Sequence, residues 1–178
     1  SYRYNKKRLK KIDSNYKLKI KIELHPNEII IKDNAAGISE DRYEDAFETG
    51  KPPPDVGGLS EFGVGMKIAA CWFADKWKVH SKALGEKNWR LVQFDIEKLR
   101  EKNTERLEVN ESKAPENSHY TIVTLNKLNH RPKTASIKKI FEHLSSIYRF
   151  LINSDEIDIF INGIKLKYEP PKIRDSGY

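Results

Sequence analysis

The chain contains very little sulfur, with one cysteine (Cys71) and one methionine in 178 residues. A single cysteine excludes an internal disulfide and any cysteine-rich metal site, which fits a reducing compartment. Set among apolar neighbours, Cys71 is expected in the core. Long apolar runs are missing too. No stretch approaches the roughly 20 residues that a membrane-spanning helix needs, and the opening SYRYNKKRLKK lacks the apolar segment of a secretory signal. The expected setting is cytoplasmic, with no membrane partner. There is no internal repeat to build an array from. With 38% hydrophobic residues the chain can bury one core and does not require a second, so residues 1–178 are expected to form a single domain. Charged residues make up 33% and the formal net charge is +7, which attracts polyanions such as nucleotides, nucleic acids or acidic membranes without choosing among them.

Periodicity sets the elements. Leu18, Ile20, Ile22 and Leu24 alternate with charged residues, the pattern of a half-buried strand. After the turn at His25-Pro26-Asn27, Ile29 to Ile31 form a second, more buried strand ending at Asp33, and the pair reads as a hairpin. Ser39 is placed to cap a short helix from Glu40 to about Glu48. Residues 51–63 hold too many prolines and glycines for a regular element and are expected to be a mobile loop. The segment from Gly65 to Asp75 is apolar almost all round, as in a helix buried against a sheet. Strands are expected at Trp77–Ser81, Trp89–Asp95 and Thr121–Leu125, the last two separated by a polar surface excursion. An apolar stripe from Ile137 to Leu151 marks the longest helix. Asn162-Gly163 suits a type I′ turn between strands at Ile157–Ile161 and Ile164–Tyr168. The basic opening to about Asp13 carries no clear period.

Two segments carry chemistry. In Asp33-Asn34-Ala35-Ala36-Gly37-Ile38, a carboxylate at a strand end can accept a hydrogen bond from an exocyclic amine such as that of adenine, while Ala36 and Gly37 let a flat ring approach the backbone. The same residues also serve as plain turn caps. In Gly57-Gly58-Leu59-Ser60-Glu61-Phe62-Gly63-Val64-Gly65-Met66-Lys67, freed backbone amides and the positive end of a helix suit phosphate, while close helix packing alone also explains the glycines. It is not a Walker A loop, since no Gly-Lys-Ser/Thr stands at the required spacing.

In their order and spacing these segments resemble the two glycine boxes of the GHKL superfamily, which includes gyrase B, the MutL proteins, the heat-shock-90 chaperones, Microrchidia ATPases and histidine kinases. DNAAGI is similar to the first box and GLSEFGVGMK to the second, with the strongest likeness to the chaperone and Microrchidia branch. Later, SHYTIVTL, the HLSSIYRFLI helix and the IDIFINGIKL hairpin extend the likeness over most of the chain. The resemblance implies an α+β two-layer sandwich, the Bergerat ATP-binding fold, with a mixed, mostly antiparallel sheet and helices on one face. It implies that Asp33 recognises the adenine amine, that Gly37 lines the base, and that Thr121 supplies a base-side hydroxyl. Gly58, Gly63, Val64 and Gly65 would form lid and phosphate contacts and Lys67 would neighbour a phosphate. Ala36, Ile38, Gly57 and Met66 complete the implied ATP-binding set, and residues 51–63 would be the lid.

The chain departs from the family pattern in three places. Ala35 stands where the first glycine is usual, which either narrows the base pocket or is absorbed by a different turn. Tyr120 replaces the glycine before Thr121. No Glu-x-x-x-Asn helix precedes the first strand, so the water-activating glutamate and the Mg²⁺-binding asparagine are expected upstream of Ser1, in preference to Asn5 serving as the metal ligand. The five histidines show no metal-ligand spacing. Trp72, Trp77 and Trp89 are expected in the core rather than as stacking platforms. The cluster Lys6, Lys7, Arg8, Lys10 and Lys11 is either a solvated face or a nucleic-acid contact. The function so implied is an Mg-ATP-binding ATPase that couples lid closure and hydrolysis to conformational change or homodimerisation. The alternatives are a non-hydrolysing nucleotide-binding scaffold and a DNA-associated module.

Overall fold

Alternation of charged residues with isoleucine or leucine over 18–24 can bury only one face. In the computed structural model, which describes residues 2–47, 65–98, 108–131 and 133–170, this stretch is strand β1 (Leu18–Leu24). It pairs antiparallel with β2 (Glu28–Asp33) in the expected hairpin. The remaining strands are β3 (Ala74–Lys82), β4 (Asn88–Asp95), β5 (Val109–Lys113), β6 (Tyr120–Leu128), β7 (Ile157–Ile161) and β8 (Ile164–Lys165). They form one eight-stranded sheet in the order β5-β4-β3-β6-β2-β1-β7-β8. Every pairing is antiparallel except β1 with β7.

The helices are α1 (Tyr2–Ile12), α2 (Tyr43–Phe47), α3 (Gly65–Phe73), α4 (Thr134–Ile147) and α5 (Arg149–Asn153). Helices α2 to α5 cover one face. Ala70 of α3 and Phe47 of α2 meet Ile29, Trp77, Val79 and Leu125, while Ile140, Phe141 and Leu144 of α4 and Leu151 of α5 meet Leu18, Ile157, Ile159 and Ile161. Leu24 belongs to both groups and pairs with Ile29, so the two clusters are one continuous side of the sheet. The expected α+β architecture, mostly antiparallel with helices on one face, is the one observed. Among the described residues no helix is long and apolar enough to cross a membrane.

Several expectations change. The basic opening is helical in α1, with Leu9 only 1% exposed while Lys7, Arg8, Lys10 and Lys11 face water. Ser39 makes no side-chain cap; residues Glu40–Arg42 form a 3₁₀ turn leading into α2, and the Glu40 amide donates to Glu86 Oε1 at 2.8 Å instead. Helix α3 ends at Phe73 because β3 starts at Ala74 without an intervening loop. Nor is it buried all round. Its inner side is Met66, Lys67 and Ala70, which turns Ile68, Cys71 and Trp72 outward. Cys71 is therefore exposed rather than in the core, and Trp72 is 65% exposed, stacked on His130 at 5.2 Å. Trp77 is in the core, its ring 3.7 Å from that of Phe94. Trp89 is half-buried on the opposite face of the sheet. The polar excursion contains edge strand β5, every residue of which is exposed. The long apolar stripe breaks into α4 and α5 at Tyr148.

Two turns close the end of the chain. After α5, Asp155 takes a φ of 57° while its amide donates to the Ile152 carbonyl at 3.1 Å and the Glu156 amide to that of Leu151 at 3.0 Å, a left-handed helix cap. Asn162 and Gly163 have φ of 48° and 81°, the two positive values of the expected type I′ turn. The parity of β7 is directly testable. Replacing Ile161, which is fully buried, with alanine is expected to lower unfolding free energy by about 2–5 kcal/mol. Phe160→Ala, one residue along on the other face, is expected to cost under about 2 kcal/mol in the same urea titration.

Candidate functional site

Alternation places Ile29, Ile31 and Asp33 on the same side of β2, so Asp33 ends the strand facing the helical layer. Register then aligns three more polar residues beside it. Asp33 is opposite Thr121 of β6, Thr121 is opposite Ser81 of β3, and Ser81 is opposite Arg90 of β4. This row crosses four adjacent strands at one end of the core. Ser81 and Arg90 are buried, and Asp33 and Thr121 half-buried.

The turn after Asp33 is held by nearly every polar group in it. The Asp33 carboxylate accepts from the Ala35 amide at 2.9 Å. Asn34 clamps β1, accepting from the Lys19 amide at 2.7 Å and donating to the Lys17 carbonyl at 3.0 Å, while the Tyr16 hydroxyl donates to the Asn34 carbonyl at 3.0 Å. His119 Nδ1 lies 3.0 Å from the Ala35 carbonyl, which can only accept, so that nitrogen carries the proton. The Leu84 amide donates to Ala36 at 2.9 Å and the Ile38 amide donates to Ser81 Oγ at 2.9 Å. Ala36 is buried beside Leu9 of α1 and Tyr16. Ala35 needs no positive φ, and its methyl meets the cluster around Leu18 and Ile157, so the turn absorbs the residue that replaces glycine.

Gly37 is required for a steric reason. Its φ is +75°, and a Cβ added there would lie 2.1 Å from the Lys82 carbonyl oxygen of β3. Beyond the turn, Arg90 fastens the following segment. It bonds Glu86, reaches Glu40 at 2.8 Å and Glu111 at 3.5 Å, and its guanidinium sits 5.9 Å from the Tyr43 ring centre. Burial, against the opposing pull of Arg90, pushes the Tyr43 hydroxyl up to about 12. The Lys82 ammonium is fully buried and donates to the Ala83 and Glu86 carbonyls at 2.7 and 2.5 Å.

The expected site residues divide as follows. Asp33, Ala36, Gly37, Ile38 and Thr121 come together at the ends of β2, β6 and β3. Gly65 opens α3 with no atom within 4 Å of where a Cβ would sit, and Met66 and Lys67 lie on the inner side of that helix. Gly57, Gly58, Gly63, Val64 and the proposed lid 51–63 lie outside the described residues. Asn5 accepts from Arg8 at 3.5 Å, and among the described residues no group of three His, Cys, Asp or Glu can hold a metal ion. Sequence reasoning missed Ser81, Arg90, Tyr16 and His119. Ser81 was accessible through its shared parity with Trp77 and Val79. A separate cavity of about 340 Å³, lined by Ile30, Lys78, His80, Trp89 and Ile122 among others, lies on the opposite face of the sheet, away from this row.

Burial raises the Asp33 pKa above its ordinary value of 3.8, opposed by the amides of Ala35 and Thr121 and by His119. The folded chain therefore holds this proton more tightly than the unfolded chain. That contribution to stability is fully present below 3.8 and is lost as pH rises through the raised value. At pH 7 the ionised carboxylate destabilises the fold, so Asp33→Asn is expected to be at least as stable as the native chain, with the advantage shrinking as pH falls toward 4. Gly37→Ala is expected to cost at least about 2 kcal/mol. Thermal melts at pH 4 and 7 and urea titration measure the two effects.

A family model for histidine kinase-, DNA gyrase B- and HSP90-like ATPases matches residues 12–131. No curated protein matches the chain. Among solved structures, the ATPase region of Saccharomyces cerevisiae topoisomerase II is similar with a TM-score of 0.60 and 16% identity, covering 90% of this chain and 45% of that one. The same region bound to ICRF-187 (dexrazoxane) gives a TM-score of 0.55 at the same identity and coverage. The ATPase and transducer domains of DNA topoisomerase II from Balamuthia mandrillaris give 0.59 at 14% identity, covering 89% of this chain and 44% of that one. At such identities the likeness shows the fold, and this chain spans less than half the length of these neighbours.

Proposed function

The chain belongs to the family of histidine kinase-, DNA gyrase B- and HSP90-like ATPases, and we propose that it binds Mg-ATP with the adenine base against the Asp33–Thr121 pair. The observation that carries this is a half-buried carboxylate presented beside a hydroxyl by strand register, on a turn where nearly every other polar group is bonded. Such a carboxylate has an acceptor to offer and is poorly solvated where it sits, so an amine donor entering from a ligand gains a charge-assisted hydrogen bond. A rigid turn loses little entropy on binding.

Phosphate contacts fall to the start of α3 at Gly65 and to the Gly57–Val64 segment, on the support of the family likeness and of the open space at Gly65. When bound, Mg²⁺ would neutralise phosphate charge; none of the described residues is assigned to hold it, and neither is the group that activates water. The reading includes closure of residues 51–63 over the phosphates, slow hydrolysis and ATP-dependent homodimerisation in a cytoplasmic setting. The wording of the second glycine box supports the chaperone and Microrchidia branch. Titration of the full-length protein with a non-hydrolysable ATP analogue is expected to give saturable binding, weakened about 10- to 100-fold by Asp33→Asn. Absence of binding, or equal binding by the variant, would refute the base assignment.

Engagement of DNA is a second reading, favoured by the exposed row Lys7, Arg8, Lys10 and Lys11 on α1. A duplex shift assay should show salt-sensitive binding, and Lys7→Glu with Lys10→Glu and Lys11→Glu should lower the log–log salt slope by about one per lost phosphate contact. If nothing shifts at low salt, this reading is wrong.

A further inference from the structure

Ser81 is 1% exposed and stands between Thr121 and Arg90 in the polar row, yet base recognition by Asp33 and Thr121 does not use it. Its Oγ accepts the Ile38 amide proton at 2.9 Å. What remains is one proton and one lone pair. Two partners are in reach, the Tyr120 carbonyl at 3.2 Å and Thr121 Oγ1 at 3.3 Å. The carbonyl can only accept, whereas the threonine hydroxyl can accept or donate.

This leaves two consistent proton arrangements. In one, Ser81 donates to Thr121, and Thr121 turns its own proton toward the ligand. In the other, Ser81 donates to Tyr120 and accepts from Thr121, and Thr121 shows the ligand a lone pair. The distances to the two acceptors differ by only a tenth of an ångström, so geometry does not impose either arrangement. Without Ser81 the second arrangement loses the acceptor for the Thr121 proton, and a half-buried hydroxyl would be left unpaired whenever the ligand offers it no acceptor.

We propose that Ser81 is a specificity-determining positioning residue: it takes or gives the proton that lets Thr121 tolerate a purine ring position beside the exocyclic amine whether or not that position is an acceptor. The amine is then read strictly by Asp33, and the neighbouring ring position permissively. The inference rests on the adenine-site reading and adds a residue to it. The same bond to the Ile38 amide ties this proton relay to the turn that carries Asp33.

The test compares binding of non-hydrolysable ATP with that of its 1-deaza counterpart, in which the ring nitrogen beside the amine becomes C–H. The native full-length protein is expected to bind the two within about threefold of each other, whereas Ser81→Ala should weaken the 1-deaza ligand by a further factor of about ten relative to the parent. Ser81→Cys, keeping a weaker acceptor at the same place, should give an intermediate ratio and supplies the answer if the alanine variant does not fold. A purely structural role would weaken both ligands equally and leave the ratio at its native value, and that result would overturn the proposal. A native protein that binds ATP but already rejects the 1-deaza ligand tenfold would overturn it as well. Failure of the native protein to bind either ligand would instead strike the adenine-site reading, and the inference with it.

Discussion

The registers of β2, β6 and β3 fix where the polar row lies, and the rest of the site follows from them. Asp33, Thr121, Ser81 and Arg90 are aligned because Ile31, Val123, Val79 and Val92, two residues along each strand, are aligned in the core. A slip of one residue in any pairing would expose a core face and turn the polar group to the other side of the sheet. Apolar burial, worth roughly 25 cal/mol for each Å² removed from water, thus specifies the placement of groups whose own burial is unfavourable.

The turn from Asp33 to Ile38 carries that placement into a shape. Contacts come to it from every side: Lys19 from β1, His119 from the segment before β6, Leu84 and Ser81 from the end of β3, and Leu9 from α1. Gly37 is in contact with the Lys82 backbone, so the turn cannot move away from β3 without losing the contact that makes glycine necessary. The carboxylate is the one member that the fold holds at a cost, with its pKa raised by burial. A carboxylate whose charge is disfavoured by burial, on a turn where nearly every other polar group is bonded, is where a ligand's donor would gain most, as the proposed function requires.

Much of this was legible in the residues. Alternation in β1, the apolar run of β2, the Asn162-Gly163 turn and the helical stripe of α4 each reflect a burial period, and period is a local property. Asp33, Gly37 and Thr121 are expected together from the family resemblance, and the structure brings them together. What the sequence did not disclose depends on partners far along the chain. Cys71 and Trp72 look like core residues because α3 is apolar on both sides, and only the sheet decides which side is covered. Edge strand β5 has no apolar alternation, since neither of its faces is buried, and it is a strand only by its pairing with β4. Helix α1 has few apolar residues and is fixed by Leu9 against the turn and by Lys6 bonding Glu156 at 2.6 Å. Ser81 joins the polar row only through register, which sets it opposite Thr121.

The sheet offers two faces to a ligand, one bearing the polar row at the edge of the helical layer and one bearing the cavity beside Trp89 and His80. The proposed nucleotide site is on the first. The most direct measurement is a crystal structure of the full-length protein with a non-hydrolysable ATP analogue. It should show the exocyclic amine within hydrogen-bond distance of the Asp33 carboxylate, with the ring edge facing Thr121. A base seated in the Trp89 cavity, or one that leaves Asp33 without contact, would contradict the account.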